Sequence, residues 1–187
     1  MKICIFGAGA IGGYMGGRMA RAGINVSLVA RGPHLSAMQQ NGLTIEDEDG
    51  RQTLEITATD DPYSLGPQDY VIISVKAISL AGANIAPLLG ENTVVVTAMN
   101  GIPWWYYYGL PDGERHASLE SVDPGGDFWR RIGPERSVGA IIGFAAEVVA
   151  PGNVRCVSGN RFTIGEPTGE MSDRCLWFAE LMGRAGF

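Results

Sequence analysis

Apolar and polar positions along the first hundred residues separate short buried strands from amphipathic helices. Apolar runs of about four to eight residues between turn residues are typical of strands, and apolar positions three or four residues apart are typical of helices. The predicted strands are 2–6, 25–30, 70–75 and 93–98. The predicted helices are 10–22, which stops at Gly23, 34–41, which ends before Gly42, and 78–89.

The alternation of strand and helix predicts the fold class. It specifies a mostly parallel sheet with helices on both faces, which is the doubly wound, Rossmann-type α/β architecture. Ligands of such sheets bind at the carboxyl ends of the strands, where the strand order reverses. We therefore expect residues 1–187 to form one nucleotide-binding domain.

The pattern is less regular between the second and third predicted strands and again after residue 100. Segments 43–46 and 52–57 alternate on either side of a turn-prone stretch and predict a hairpin. After a break at 100–103, residues 104–108 predict a short aromatic helix. Prolines and glycines between 109 and 136 predict a long loop or insertion.

The last third of the chain predicts strands followed by a helix. The predicted strands are 137–149, 154–158 and 162–165, with turns at 151–153 and 158–160. A terminal helix is predicted from about Met171 to Arg184, leading to a further domain that the chain lacks.

Composition and charge exclude several classes of protein. The chain is 45% hydrophobic and 18% charged, which is ordinary globular composition. A formal net charge of -6 counts against a nucleic-acid surface. No apolar run reaches the roughly 18 residues that span a bilayer, and without a signal peptide we expect a cytoplasmic protein with no membrane partner. Seven acidic residues between 46 and 61 predict a solvated hairpin.

A glycine-rich loop carries the strongest chemical signal. It follows the first strand and opens the first helix, and its residues are Gly7, Ala8, Gly9, Ala10, Ile11 and Gly12. In such a loop the first glycine makes the tight turn, the second lets the backbone approach a pyrophosphate, and the third lets the helix pack on the strand. The N–H groups and positive end of the helix face the phosphates. The alternative is a glycine-rich turn without a ligand.

Three polar residues follow the next predicted strands. Arg31 stands where NAD enzymes usually carry an acid that binds the ribose 2′-OH, so it favours NADP, unless it is a solvated surface arginine. Lys76 points towards the crevice and reaches a cofactor phosphate or ribose, or else extends to solvent. Asn100 holds the nicotinamide ribose and a substrate carbonyl, or else serves only as a turn residue before Gly101.

Other candidates carry little chemistry. The run 104–108 is a wall of the crevice, part of the core, or a surface that another domain covers. His34 and His116 are isolated, and neither is expected to be a base or a metal ligand. No metal site is predicted, since the three cysteines are dispersed.

These residues together resemble the ketopantoate reductase (2-dehydropantoate 2-reductase) family. The stretches that carry the resemblance are Lys2-Ile3 to Gly13, Arg31, Val75-Lys76-Ala77, Asn100-Gly101-Ile102-Pro103-Trp104-Trp105, Ala150-Pro151-Gly152-Asn153-Val154 and Phe162-Thr163-Ile164-Gly165-Glu166-Pro167. The resemblance implies NADPH-dependent reduction of a small keto acid, ketopantoate, to pantoate, on the route to pantothenate and coenzyme A. It assigns Arg31 and Lys76 to the NADP phosphate, and Asn100 to cofactor and substrate.

The resemblance also implies a missing part. The family's C-terminal helical domain carries the catalytic lysine, and this chain has no lysine after Lys76. We therefore expect no catalytic residue in the chain, and a fragment that binds NADP(H) but reduces ketopantoate poorly. An apolar face at Trp104, Trp105 or the last helix would be left exposed and would favour a homodimer.

Two other hypotheses stay open. The chain could belong to a different hydroxyacid or sugar-nucleotide dehydrogenase, or it could be a nucleotide-binding module without chemistry. A methyltransferase of similar fold fits less well, because the strand–loop–helix spacing suits a pyrophosphate better.

Overall fold

A computed structural model describes residues 1–75, 82–110 and 119–187. The strands are β1 Ile3–Phe6, β2 Val26–Val29, β3 Leu43–Asp47, β4 Gly50–Leu54, β5 Thr57–Thr59, β6 Gln68–Ile73, β7 Leu89–Thr97, β8 Ser137–Ala150 and β9 Asn153–Gly165. The α-helices are α1 Ala10–Arg21, α2 Gly32–Asn41, α3 Asp127–Ile132 and α4 Asp173–Arg184. Short 3-10 turns cover Pro62–Ser64, Ala86–Leu88, Pro124–Gly126 and Pro134–Arg136.

The strands form one sheet whose order confirms the predicted fold class. The order is β4-β3-β9-β8-β7-β6-β1-β2-β5, and the six strands from β8 to β5 run parallel. The chain moves outward from β1 to β2 and β5 on one side, then returns to add β6, β7 and β8 on the other. The strand order therefore reverses between β1 and β6, which is where doubly wound sheets hold their ligands.

The alternation of side chains along β1 divides the core between the two faces of the sheet. Ile5 packs in the cluster that includes Met15 of α1, whereas Phe6 packs in the cluster that includes Trp104 and Phe128. Burying each such side chain contributes about 1.5–3 kcal/mol. Both faces are thus covered, as a parallel sheet requires.

Glycines let helix α1 lie unusually close to the sheet. A Cβ at Gly16 would strike Leu28 of β2, and a Cβ at Gly17 would strike Ile45 of β3. Glycines on two sides of α1 therefore allow this helix to pack against both the parallel strands and the outer hairpin. The repeated Gly-Gly pairs in this helix were a signal in the sequence that the predictions above did not use.

One member of the predicted acidic surface is buried. The side chain of Asp47 is only 2% exposed and accepts hydrogen bonds from Arg21 at 2.7 and 3.1 Å, from Tyr14 at 3.2 Å and from Arg18 at 3.4 Å. Burial alone would raise the pKa of Asp47, but the two arginines and the Tyr14 hydroxyl outweigh it and hold the pKa below its ordinary value. The acids that are exposed as predicted are Glu48, Asp49, Glu55, Asp60 and Asp61.

Arg18 also fastens the end of α4. Its Nε and Nη2 each donate to a carbonyl at 2.9 Å, those of Ala185 and Gly186. Its guanidinium lies 5.3 Å from the centroid of the Phe187 ring. Arg18 is only 6% exposed. A buried charge needs partners, and here Asp47 neutralises the guanidinium while the two carbonyl oxygens accept its hydrogen bonds.

The first four elements agree with the predictions to within two residues, and β6 is shifted by two. The predicted hairpin is confirmed as β3 and β4, but its second arm ends at Leu54. Residues Thr57–Thr59 leave the hairpin and pair with β2 as β5. That part of the prediction is wrong, because residues Thr57–Thr59 form the parallel edge strand of the sheet next to β2.

The α-helix predicted over 78–89 is absent from residues 82–89, the part of it that the structure describes. Residues 76–81 lie outside the described residues. Gly82 has a φ of +79°, Pro87 lacks a backbone donor, and only the 3-10 turn precedes β7 at Leu89. The aromatic helix at 104–108 is also absent: two turns close there, with Tyr106 N–H donating to Pro103 and Tyr108 N–H to Trp105.

The predicted loop at 109–136 contains a helix. Residues 111–118 lie outside the described residues, but α3 follows them and buries Phe128 and Ile132 one turn apart. The fully buried Asp123 fixes its start, accepting from the N–H groups of Phe128 at 2.9 Å and Trp129 at 3.0 Å. A segment interrupted by glycines and prolines thus folds because one carboxylate binds its first amides.

The three predicted strands after residue 136 form one long hairpin. The turn at 151–153 is confirmed, but the turn predicted at 158–160 is wrong. Gly159 has a φ of +76°, and the β8–β9 pairing shifts register between Gly143 and Ala145. A bulge therefore lets the strand continue while it twists.

The apolar face expected for a further domain is only partly present. Trp104 is 2% exposed and belongs to the core, which is one of the alternatives given above for the run 104–108, and Trp105 is half-buried against Gly139. The last helix does expose Leu176 and Trp177, each by about half. In the described ranges, no helix combines the length and apolar character that crossing a membrane requires.

We predict that Asp47→Asn lowers the free energy of unfolding by about 3 kcal/mol at neutral pH, because it leaves two arginines without their buried partner. The carboxylate stabilises the fold above the ordinary carboxyl pKa of about 4, and that contribution is lost as the pH falls through the lower folded value. The wild type should therefore lose more stability than the variant between about pH 5 and about pH 3. Denaturant unfolding at several pH values measures both effects.

Asp49→Asn is the matched control. The Asp49 side chain bonds Arg21 and is 61% exposed, so its loss should cost less than about 1 kcal/mol. Equal losses for the two variants would contradict the assignment of Asp47 as the buried centre.

Candidate functional site

A cleft of about 300 Å³ opens at the carboxyl ends of the central strands. Its walls come from the start of α1, the ends of β6 and β7, the turns after β7, the α3 region and β8. The lining residues are Ile11, Ser74, Val75, Thr97, Ala98, Met99, Asn100, Ile102, Pro103, Trp104, Val122, Phe128, Ile142 and Phe144. The cleft therefore extends from beside the point where the strand order reverses, at the start of α1, across the ends of β6 and β7 to β8.

Gly7 makes the turn between β1 and α1 as predicted. Its φ is +106°, and a Cβ there would strike Val75. The N–H groups of Gly7 and Ala8 both donate to the Val29 carbonyl, at 3.0 and 2.9 Å. The loop is thus bonded to the end of β2, and these two amides are used within the protein.

Gly9 and Gly12 are constrained in different ways. A Cβ at Gly12 would meet the Gly7 carbonyl, the Ser74 hydroxyl and, at 2.9 Å, Ile5, so this position must be glycine for α1 to pack. A Cβ at Gly9 would meet no atom within 4 Å in the described part of the chain. Packing therefore does not require glycine at position 9, and the space beside it is open.

The first turn of α1 supplies unpaired donors. Gly9 N–H donates to Gly7 at 2.7 Å, and Gly13 N–H donates to Gly9 at 2.7 Å. The N–H groups of Ala10, Ile11 and Gly12 have no backbone acceptor among the described residues. A helix start leaves such amides free and carries a partial positive charge, so these three amides can bind an anion.

Asn100 is bound to β8 by both ends of its amide. Nδ2 donates to the Ile142 carbonyl at 3.0 Å, and Oδ1 accepts from the Ile142 N–H at 2.9 Å. Strand β7 ends at Thr97 while β8 continues, so this side chain takes the place of a neighbouring strand. The two bonds fix the orientation of the amide and leave one N–H and one lone pair for a ligand.

The other predicted site residues lie around the loop. Arg31 is exposed directly before α2, after the end of β2. Lys76 and His116 lie outside the described residues. His34 Nδ1 accepts from the Gly152 N–H at 2.9 Å. Burial lowers the pKa of His34 and a hydrogen bond with the Ala8 backbone opposes that shift, so the ring lies between the glycine loop and the β8–β9 turn.

The cleft is apolar apart from a few hydroxyl and amide groups. Thr97 donates to the Val138 carbonyl at 3.2 Å, and Ser74 donates to the Gly7 carbonyl at 2.9 Å. In the described part of its lining no side chain is charged. A substrate carboxylate would therefore need a cation from another part of the protein.

The sequence predictions missed several lining residues. Ser74 directly follows β6 and Thr97 ends β7, so the rule that ligands bind at carboxyl ends would have found them. Val122 and Phe128 reach the cleft from the segment predicted as a loop, and no local pattern indicated that position.

Comparison with known proteins identifies the family. The sequence profile of the family described as ketopantoate reductase PanE/ApbA matches residues 3–105, which include β1 to β7 and the loop that follows. This chain belongs to that family.

Relatives extend the similarity over the whole chain. A 2-dehydropantoate 2-reductase of Mesorhizobium japonicum is 49% identical over all of this chain and 58% of its own length. A crystal structure assigned as a ketopantoate reductase of Ralstonia solanacearum MolK2 is 43% identical, with a TM-score of 0.92 over 99% of this chain and 58% of its own. The chain thus spans a little over half the length of these two relatives.

A more distant structure shares the fold alone. D-mandelate dehydrogenase, solved with NADH and anilino(oxo)acetate, is 18% identical, with a TM-score of 0.76 over all of this chain and 55% of its own.

We predict that Asn100→Ala releases the edge of β8. Removing both hydrogen bonds should speed hydrogen exchange of the Ile142 amide about thirtyfold, since the two bonds together contribute roughly 2 kcal/mol. Exchange measured residue by residue by NMR tests this. Asn92→Ala, at an exposed position of β7, is the control, and an unchanged Ile142 rate would show that the amide does not hold β8.

Proposed function

We propose that this chain is the cofactor-binding part of an NADPH-dependent reductase that converts a small 2-keto acid, ketopantoate, to its hydroxy acid, pantoate. The observation that carries the proposal is the start of α1, where the amides of Ala10, Ile11 and Gly12 are free beside the open space at Gly9. This arrangement fits a dinucleotide pyrophosphate, and it lies in the segment that defines the family.

The residues around the cleft fit the nicotinamide half of the cofactor. When bound, the cofactor supplies the hydride. Apolar walls such as Ile142 and Phe144 would exclude water from the ring. The remaining N–H and lone pair of Asn100 would orient the nicotinamide ribose and the substrate carbonyl. The lysine that donates the proton in the family is expected beyond Phe187.

NADP is favoured over NAD by the residues that follow β2. The sequence there is Ala30-Arg31, so no carboxylate stands at the position that binds a ribose 2′-OH in NAD enzymes. Arg31 is exposed and can bind a 2′-phosphate through two parallel hydrogen bonds. Lys76 is proposed as the second phosphate ligand on the sequence alone.

The substrate is proposed from the relatives. The two relatives reported above, 49% and 43% identical, are described as a 2-dehydropantoate 2-reductase and a ketopantoate reductase. The described part of the cleft lining offers hydroxyl and amide groups but no charge for the substrate carboxylate.

Arg31→Ala tests the cofactor. We expect the affinity for NADPH to fall about ten- to a hundredfold, because charge-assisted hydrogen bonds to the 2′-phosphate are lost, while affinity for NADH stays unchanged. Titration of intrinsic tryptophan fluorescence with each dinucleotide measures both constants. Arg51→Ala, on the outermost strand at the far edge of the sheet, is the control. Tighter binding of NADH than NADPH by the wild type would overturn the NADP assignment.

Gly9→Ala tests the position of the pyrophosphate. The added methyl group meets open space in the protein, so the free energy of unfolding should change by no more than about 1 kcal/mol. It would occupy the approach of the phosphates, so affinity for NADPH and NADH should both fall at least about tenfold. Gly183→Ala also adds a methyl group in open space, in α4, and should bind normally. Full affinity in the Gly9 variant would exclude this loop as the pyrophosphate site.

A further inference from the structure

Ser74 connects the end of β6 to the glycine loop. Its backbone N–H donates to the Phe6 carbonyl at 3.0 Å, continuing the β1–β6 pairing by one residue. Its hydroxyl lies 2.9 Å from the Gly7 carbonyl and 3.5 Å from that of Phe6, so its single proton goes to Gly7. This hydroxyl therefore bonds the residue after β6 directly to the first residue of the glycine loop.

We propose that Ser74 is a positioning residue for the dinucleotide, one that fixes the glycine loop in its binding conformation through the Gly7 carbonyl. The inference rests on the proposed function, since it assumes that the free amides of α1 bind the cofactor.

The Gly7 carbonyl is the point at which the loop conformation is set. It accepts from the Ser74 hydroxyl and from the Gly9 N–H at 2.7 Å, and the backbone of Gly12 approaches it so closely that no Cβ would fit. The other side of the same turn is bonded to the Val29 carbonyl. Rotation of the Gly7 peptide would therefore displace the residues that lead into the three free amides.

The size of the side chain at position 74 also matters. The hydroxyl lies where a Cβ of Gly12 would be, so Ser74 and Gly12 fill one space between them. Alanine at position 74 keeps the volume nearly unchanged but removes the donor, which makes the hydroxyl separable from packing. Threonine keeps the donor.

The hydroxyl acts on a part of the site that is common to both dinucleotides. Arg31, by contrast, is proposed to contact only the 2′-phosphate. Loss of the Ser74 hydroxyl should therefore weaken NADPH and NADH equally and leave their ratio unchanged.

The test compares dissociation constants for NADPH and NADH in the wild-type chain, Ser74→Ala and Ser74→Thr. We expect Ser74→Ala to lose about five- to tenfold in affinity for both dinucleotides, which corresponds to one hydrogen bond, and Ser74→Thr to stay within about twofold of wild type. Hydrogen exchange of the Gly9 amide, measured without ligand, should be faster in Ser74→Ala only.

Thr93→Val is the control for a general loss of stability. Thr93 is buried, and its hydroxyl donates to the Gln68 carbonyl at 2.6 Å, so it joins β7 to β6 at the end of the sheet opposite the cleft. This variant loses a comparable hydroxyl without touching the loop, and it should bind both dinucleotides normally.

The outcomes separate this inference from the proposed function. Wild-type affinity in Ser74→Ala, or an equal loss in Thr93→Val, would overturn the role of Ser74 while the cofactor site stands. A wild-type chain that binds neither dinucleotide would overturn both.

Discussion

The close approach of helix α1 to strand β1 is the constraint on which the rest of the molecule depends. Gly12 allows the helix to lie against Ile5 and the Gly7 carbonyl, and Gly16 and Gly17 extend the contact to β2 and β3. If this helix stood further from the sheet by one methyl group, its first amides would no longer face the cleft between β1 and β6. The same glycines thus allow α1 to pack against the sheet and hold the first amides of α1 in place to bind an anion.

Polar groups complete the structure where apolar packing cannot. The pair of Arg18 and Asp47 joins α1 to the outer hairpin and to the end of α4, and Asp123 starts α3 in a segment with little helical character. Each is almost fully buried, and each accepts or donates several hydrogen bonds. Such groups stabilise only when every partner is present, so they select one arrangement of the outer elements around the parallel sheet.

The sequence predicted those parts of the fold in which local pattern and tertiary structure agree. The strand–loop–helix unit at residues 3–21 follows from apolar runs and from glycines whose tasks are local. The failures occur where a distant contact decides: Thr57–Thr59 joins β2, Asp47 meets two arginines from α1, and Gly159 absorbs a bulge instead of a turn. The cleft was predictable as a position in the fold, but its wall from the 119–132 region was not, since only the folded chain brings Phe128 there.

The two hydrogen bonds between the Asn100 side chain and the Ile142 backbone restrict which residues can stand at position 100. A replacement must offer one donor and one acceptor at the spacing of a peptide group. Aspartate offers two acceptors, and glutamine carries its amide one methylene too far from the backbone. Even in a descendant that acts on another substrate, asparagine would therefore be retained at this position for architectural reasons, and its presence alone is weak evidence for the chemistry of the parent.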